Sequence, residues 1–211
     1  MSAAESRLSS QEYLEIERAS ATKHEFSAGQ MYAMAGASRN HNRIALNTAA
    51  ALMGFFGDGD CEVYSSDMRV KVEASGSYYY PDLAIACGNQ RFEDGRQDTL
   101  LNPRVIFEVL SPSTEAHDRG EKFRQFREIE SLREYVLVSQ EYYLVEHFSR
   151  GADGRWVLTD ARGLDATIKL PAIGCELPLS RIYARVEITP PSPEEEQRRL
   201  LVGHEHKADR S

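Results

Sequence analysis

The run RVIFEVLS, residues 104–111, constrains the fold more than any other stretch. On an extended strand Val105, Phe107 and Val109 share one face, and Arg104, Ile106, Glu108 and Leu110 share the other. A run this apolar on both faces belongs to a strand covered on both sides. Glu108 breaks it where a core strand takes an apolar residue. The run YYYPDLAIACG, residues 78–88, repeats the anomaly with Asp82. Leu83, Ile85 and Cys87 alternate with Asp82, Ala84 and Ala86, so this acid shares its face with small residues that leave space around it. A carboxylate in an apolar run is costly to bury unless it is paired or bound to a metal.

The surrounding patterns supply layers for such a sheet. Ser9 and Glu12 match a capping box and open a helix to about Ala19, with Tyr13, Leu14 and Ile16 on or near its buried face. Glu25 to Gly36 reads as a hairpin turning at Gly29, with Met31 and Met34 inward. Ser38 caps a second helix whose apolar positions are Ile44, Leu46, Ala50, Met53 and Phe56, and Gly57 ends it. His41 falls in its first turn, as a partly exposed cap residue or as a contact to phosphate. Residues 61–88 read as two strands joined at Ser75–Ser77, followed by a polar loop over 88–102. Asp118 is a candidate N-cap for a helix that turns Phe123, Phe126 and Ile129 inward and carries Lys122 near its start. A strand over Glu134 to Ser139 and meander-like strands follow. The order predicts an α/β fold with a mixed central sheet and appended C-terminal strands. Residues 1–188 form the expected domain, and the proline-rich, charged segment 189–211 a flexible tail.

Charge and cysteine content narrow the function classes. With 25 basic and 33 acidic residues the net charge is −8, which gives no general attraction to nucleic acid and leaves only local patches to supply it. No apolar run approaches the ~20 residues of a membrane span, and the N-terminus lacks a signal-peptide pattern, so a soluble cytoplasmic protein is expected. Cys61, Cys87 and Cys175 match no close metal spacing, and reduced thiols are the simpler reading.

Two acids on adjacent strands and a lysine on a neighbouring helix suit phosphodiester hydrolysis. Magnesium takes hard oxygen ligands, commonly one or two carboxylates with water and substrate phosphate. Asp82 and Glu108 supply the carboxylates, and the Val109 carbonyl is a third candidate ligand. Lys122 then orients water or neutralises phosphate, with a lowered pKa required for it to act as a base. Taken singly, each has a plain structural account: Asp82 caps a strand start, Glu108 pairs with Arg69 or Arg104, and Lys122 faces solvent.

The segments EYLEIERASATKHEFSAGQMYAMAGAS, HNRI, CEVYSSDMRVKV, YYYPDLAIACG, NPRVIFEVLSPSTEAHDRGEKFRQFREI, SLREYVLVSQ and LPLSRIY resemble the Uma family of restriction endonucleases, a branch of the PD-(D/E)xK nuclease superfamily. The resemblance covers most of the chain and implies a restriction-endonuclease-like αβββαβ core. By it, Asp82 matches the acid of PD and Glu108 the acid of (D/E)xK. Leu110 stands where the motif has lysine, and Lys122 on the following helix takes that place. Glu25 in KHEF resembles a further acid of the site. Asp67 lies on a polar strand face and has an equal claim to be a partner of Arg69 or Lys71.

The implied activity is a metal-dependent endonuclease acting on DNA, with magnesium as the cofactor and manganese as its substitute. Arg43, Arg69, Arg119 and Arg124 are the candidate DNA contacts, and a homodimer paired through the late strands at 142–170 is expected. The rival class is a nuclease-fold binding or scaffold protein without turnover, which the net charge and Leu110 favour modestly. A third reading, a metal hydrolase on a small phosphorylated substrate, calls for a closed pocket.

Overall fold

A computed structural model describes residues 7–189. The segment 190–211, and with it nearly all of the expected tail, lies outside the described residues. The element order is α1 (Ser10–Ala19), β1 (His24–Ser27), β2 (Gln30–Ala33), α2 (Arg39–Phe56), β3 (Cys61–Ser65), β4 (Arg69–Val72), β5 (Ser77–Tyr79) and β6 (Leu83–Cys87). It continues through β7 (Thr99–Leu100), β8 (Val105–Leu110), α3 (Glu115–His117), a π-helical turn (Asp118–Lys122) and α4 (Phe123–Phe126). Strands β9 (Glu134–Ser139), β10 (Leu144–Arg150), β11 (Trp156–Arg162), β12 (Thr167–Leu170) and β13 (Cys175–Pro178) follow, and then α5 (Leu179–Ile182).

The doubly apolar run behaves as its pattern dictates. β8 lies inside a six-stranded sheet ordered β11-β10-β9-β8-β6-β3, with all six of its residues buried. It pairs parallel to β9 and antiparallel to β6, so the sheet is mixed. One face presents Leu83, Ile85, Val105, Phe107 and Val109 to α2, through Ile44 and Leu52. The other presents Ala84, Ala86, Ile106 and Leu110 to Phe123 and Phe126 of α4. The parallel β8–β9 pair needs a crossover connection, and α3, the π turn and α4 form it. The sequence α2, β3, β6, β8, crossover helix, β9 is the αβββαβ core, with β10 to β13 appended.

A second sheet, ordered β2-β1-β5-β4-β7, stands beside the first. Residues 61–88 therefore make four strands in two sheets, where sequence reading gives two strands. Ser65–Met68 closes a turn through the Met68 N–H to the Ser65 carbonyl. Pro81 has no N–H to extend the β5 ladder, so the chain changes sheet between Tyr79 and Leu83. The β1–β2 hairpin turns at Ala28 and Gly29, both at positive φ (51° and 83°), as a two-residue hairpin loop requires.

Some expected core positions are corrected. Ile16, Met34, Leu46, Ala50 and Met53 are exposed, and α2 buries Thr48 and Leu52 together with the expected Ile44. The helix expected to begin at Asp118 begins at Glu115, and Asp118 has helical φ and ψ. Cys61 and Cys87 stand directly opposite in the β3–β6 register and form a disulfide, contrary to the reduced thiols expected, while Cys175 is free and buried. No helix among the described residues is long and apolar enough to cross a membrane.

Candidate active site

The site forms where three layers meet at one end of the central sheet. The β6–β8 register pairs Leu83 with Phe107, which sets Asp82 and Glu108 at the next step toward that end. The Asp82 N–H faces Glu108 Oε2 at 3.4 Å, and the Val109 N–H donates to Asp82 Oδ2 at 2.7 Å. Glu108 shares the face covered by the crossover helix, so a cation on that helix can reach it. Lys122 does so, with Nζ 2.8 Å from Glu108 Oε1. The Lys122 ammonium is the close cationic partner of this buried oxygen.

Glu25 arrives from β1 of the second sheet. Its Oε1 is 2.9 Å from Lys122 Nζ and accepts from the Tyr80 N–H at 3.3 Å. Asp118 Oδ1 stands 3.8 Å from the same ammonium. Lys122 and Asp118 close the two ends of the π turn. Such turns insert a residue into a helix and recur at functional sites. Here the turn brings both side chains inward.

The ionisation of the cluster follows from its burial. Burial acts against the Lys122 ammonium, but Glu108, Glu25 and Asp118 outweigh it and raise the pKa well above the usual lysine value. Lys122 is thus a fixed cation, contrary to the lowered pKa that a base requires. Burial is the largest influence on Glu108 and pushes its carboxyl well above the usual range; Lys122 opposes this, while Asp118 and Asp82 reinforce it. One lysine does not satisfy this crowd of acids, so Glu108 favours a further positive charge. Asp118 is raised as well, chiefly by burial.

His41, in the first turn of α2, completes the other side. Its Nε2 is 3.1 Å from Asp82 Oδ2, and the ring also hydrogen-bonds the backbone of Val109. Burial acts against its charge, yet Asp82 outweighs it and the pKa rises. His41 thereby holds the acid and the main-chain segment that sequence reading offers to a metal.

A buried network sets the position of Glu25 and Tyr80. Glu17 of α1 is 5% exposed; it accepts from the Tyr80 hydroxyl at 2.9 Å and the His24 N–H at 2.9 Å. Its second oxygen meets His24 Nδ1 at 2.9 Å. Arg69 reaches Tyr80 from the other side and pairs with Asp98 at 2.5 Å. Tyr135 donates from its hydroxyl to the Asp118 carbonyl at 2.9 Å. Asp118, His41 and Glu17 are participants that sequence reading gave a capping role, left between two roles, or did not single out. The i, i+4 spacing of Asp118 and Lys122 is the signal that could have found the first.

The candidate site residues Asp82, Glu108, Lys122 and Glu25 are brought together. Asp67 is not: it is exposed and pairs with Lys23 at 2.6 Å, and not with Arg69 or Lys71. Among the candidate DNA contacts, Arg69 is 4% exposed and engaged with Asp98, so it offers no surface charge. Arg119 pairs with Glu115 and Glu146, and Arg124 with Glu121. Arg43 forms no ion pair among the described residues. For magnesium, Asp82, Glu108 and the Val109 carbonyl are a hard-oxygen set, and the buried Glu108 stands among more acids than the one lysine beside it offsets. No group of three or more His, Cys, Asp or Glu among the described residues forms a metal cage. Two carboxylates and a carbonyl are the kind of oxygen set that suits magnesium retaining several waters.

The fold defines a mixed α/β protein built on an αβββαβ core. A crystal structure described as a "putative nuclease belonging to DUF820" from Anabaena variabilis matches with a TM-score of 0.71, at 12% identity, over 85% of this chain and 99% of that one. The family model Uma2, described as "Putative restriction endonuclease", matches residues 10–180, and the chain belongs to this family. Two Synechocystis proteins are similar along nearly their whole length. The protein sll1609 is 40% identical over 77% of this chain and 92% of its own, and slr1290 is 34% identical over 84% and 92%.

Proposed function

We propose that the chain is a magnesium-dependent endonuclease that hydrolyses phosphodiester bonds in DNA. The observation that carries this reading is the convergence of Asp82, Glu108, Glu25 and Lys122, from two sheets and a helix, on one point. Family membership supports the nuclease reading. Asp82, Glu108 and the Val109 carbonyl would hold the ion, with manganese as a substitute. When bound, the ion supplies Lewis acidity at a phosphoryl oxygen and lowers the pKa of water.

The chain's own groups divide the remaining work. Lys122 stays protonated, so it orients the attacking water and offsets negative charge on the phosphoryl group. Glu25 Oε2, on the most exposed of the three carboxylates around Lys122, is the acceptor for the water's proton. His41 holds Asp82 through Nε2 and also meets the Val109 backbone, and so positions the carboxylate that would take the ion.

One observation favours a second reading, a nuclease-fold binding protein without turnover. Arg69, Lys71, Arg119, Lys122 and Arg124, five of the basic residues available for a DNA-facing strip, are each neutralised by carboxylates. Calorimetric titration with manganese separates the two. The endonuclease reading expects binding by the wild type and at least tenfold weaker binding by Asp82→Asn, worth about 1.4 kcal/mol. Equal binding by both, or none by either, supports the second reading.

A further inference from the structure

Helix α2 turns Ile44, Thr48 and Leu52 into the core. Its outer side exposes Leu46, Ala50, Met53, Gly54 and Phe55, and Leu46 and Met53 retain 68% and 61% of their surface. Leu46, Ala50 and Met53 follow helical spacing, so they form one continuous apolar stripe. From Ile44 to Gly57 the chain carries no charged side chain. The charges sit at the two ends: Arg39 and Arg43 in the first turns, Asp58 and Asp60 in the turn after Gly57. None of these four forms an ion pair among the described residues. The arginines also occupy the helix end whose own dipole is positive, where cations are disfavoured.

We propose that this stripe is the contact between two copies of the chain, packed as an antiparallel pair of α2 helices about a twofold axis at Ala50. An arrangement centred there sets opposite each other residues whose numbers sum to about 100. Ala50 then faces its own copy, and its small side chain lets the helices approach closely. Leu46 falls beside the partner's Met53 and the partner's Gly54. Arg39 meets the partner's Asp60, and Arg43 meets the partner's Asp58. Each arginine comes to the negative end of the neighbouring helix, which removes the conflict with its own dipole. The charge pattern is thus self-complementary only for the antiparallel pairing. Arg43 gains a protein carboxylate as partner in place of phosphate. Strand β11, one of the two edges of the central sheet, is the competing surface and lies in the late strands that sequence reading favoured. It carries Arg155 beside it and Asp160 and Arg162 within it, charges of the kind that blunt edge pairing.

The test is sedimentation equilibrium of the full chain at up to about 100 µM, a range that captures micromolar pairing. Wild type is expected at twice the 23.8 kDa chain mass. Met53→Glu, Arg39→Glu/Arg43→Glu and Asp58→Arg/Asp60→Arg should each weaken pairing on the order of tenfold or more. Mixing the last two should restore a dimer, because both charge clusters become attractive in the mixed pair; this rescue also shows that both variants fold. A monomeric wild type overturns the proposal. So does a dimer indifferent to the inversions, one not restored by mixing, or one lost through Val157→Lys in β11 while surviving the α2 changes. The readout is mass, so it stands apart from whether the chain cleaves DNA.

Discussion

Replacing Lys122 by methionine removes the one cation shared by the buried Glu108 and Asp118 and the half-buried Glu25. Lys122 keeps 5% of its side-chain surface, and Glu25, Glu108 and Asp118 keep 12%, 4% and 6%. Breaking a buried ion pair from one side costs about 3–5 kcal/mol, because the other charge is left stranded. Glu108, already raised, takes up a proton and relieves part of this, so the lower end applies, about 3 kcal/mol. For a domain of this size each kcal/mol moves Tm by about 2–4 °C, giving a fall of about 6–12 °C. Thermal unfolding by circular dichroism in chelator at neutral pH measures it. The deficit should shrink as pH falls toward 5, since acids with raised folded pKa cost stability only as pH rises above their unfolded values. Adding Glu108→Gln should recover at least half. A Lys122→Met protein within about 2 °C of wild type, with no pH trend, would refute the clamp.

Further expectations concern the groups around that clamp. The His41 pKa is raised by Asp82, so its stabilisation is complete below its ordinary value of 6.5 and is lost as pH rises through the folded value. Tm of wild type minus that of His41→Gln should be larger at about pH 5.5 than at about pH 9; equal differences would remove the pairing. Glu108→Gln should be at least as stable as wild type without metal near pH 7.5, because a buried acid with raised pKa costs stability above its unfolded value. It should also lose any stabilisation by magnesium, which a Tm series in magnesium checks. Glu17→Ala strands the Tyr80 hydroxyl and His24, and should cost about 1–3 kcal/mol in urea unfolding. An unchanged midpoint would show that the network does not support the site.

The layers of the fold were readable where a pattern depended on the local chain. The doubly apolar β8 run announced a strand covered on both sides, and Ser9, Ser38 and Gly57 mark helix ends that the structure keeps. What escaped depended on contacts distant in sequence. The split of residues 61–88 into two sheets follows from the β1 hairpin docking on β5, which no local pattern announces. The outward placement of Leu46 and Met53 follows from which side of α2 meets the sheet, and its alanine-rich sequence leaves more than one side apolar. In the site, Asp82 and Glu108 were legible because acids interrupt apolar runs. Asp118 was masked by its resemblance to an N-cap, and Glu17 by sitting in a helix of otherwise ordinary charge. The Cys61–Cys87 bond depends on strand register, which their 26-residue separation does not reveal.

Supercoiled plasmid incubated with purified protein is the direct test of the endonuclease claim. Wild type should nick it with magnesium and not with chelator, while Asp82→Ala, Glu108→Ala and Lys122→Met each lose at least a hundredfold in rate, the scale of a lost transition-state contact at about 2.7 kcal/mol. Nicking that persists equally in the three variants, or a wild type inert with both magnesium and manganese, would contradict it.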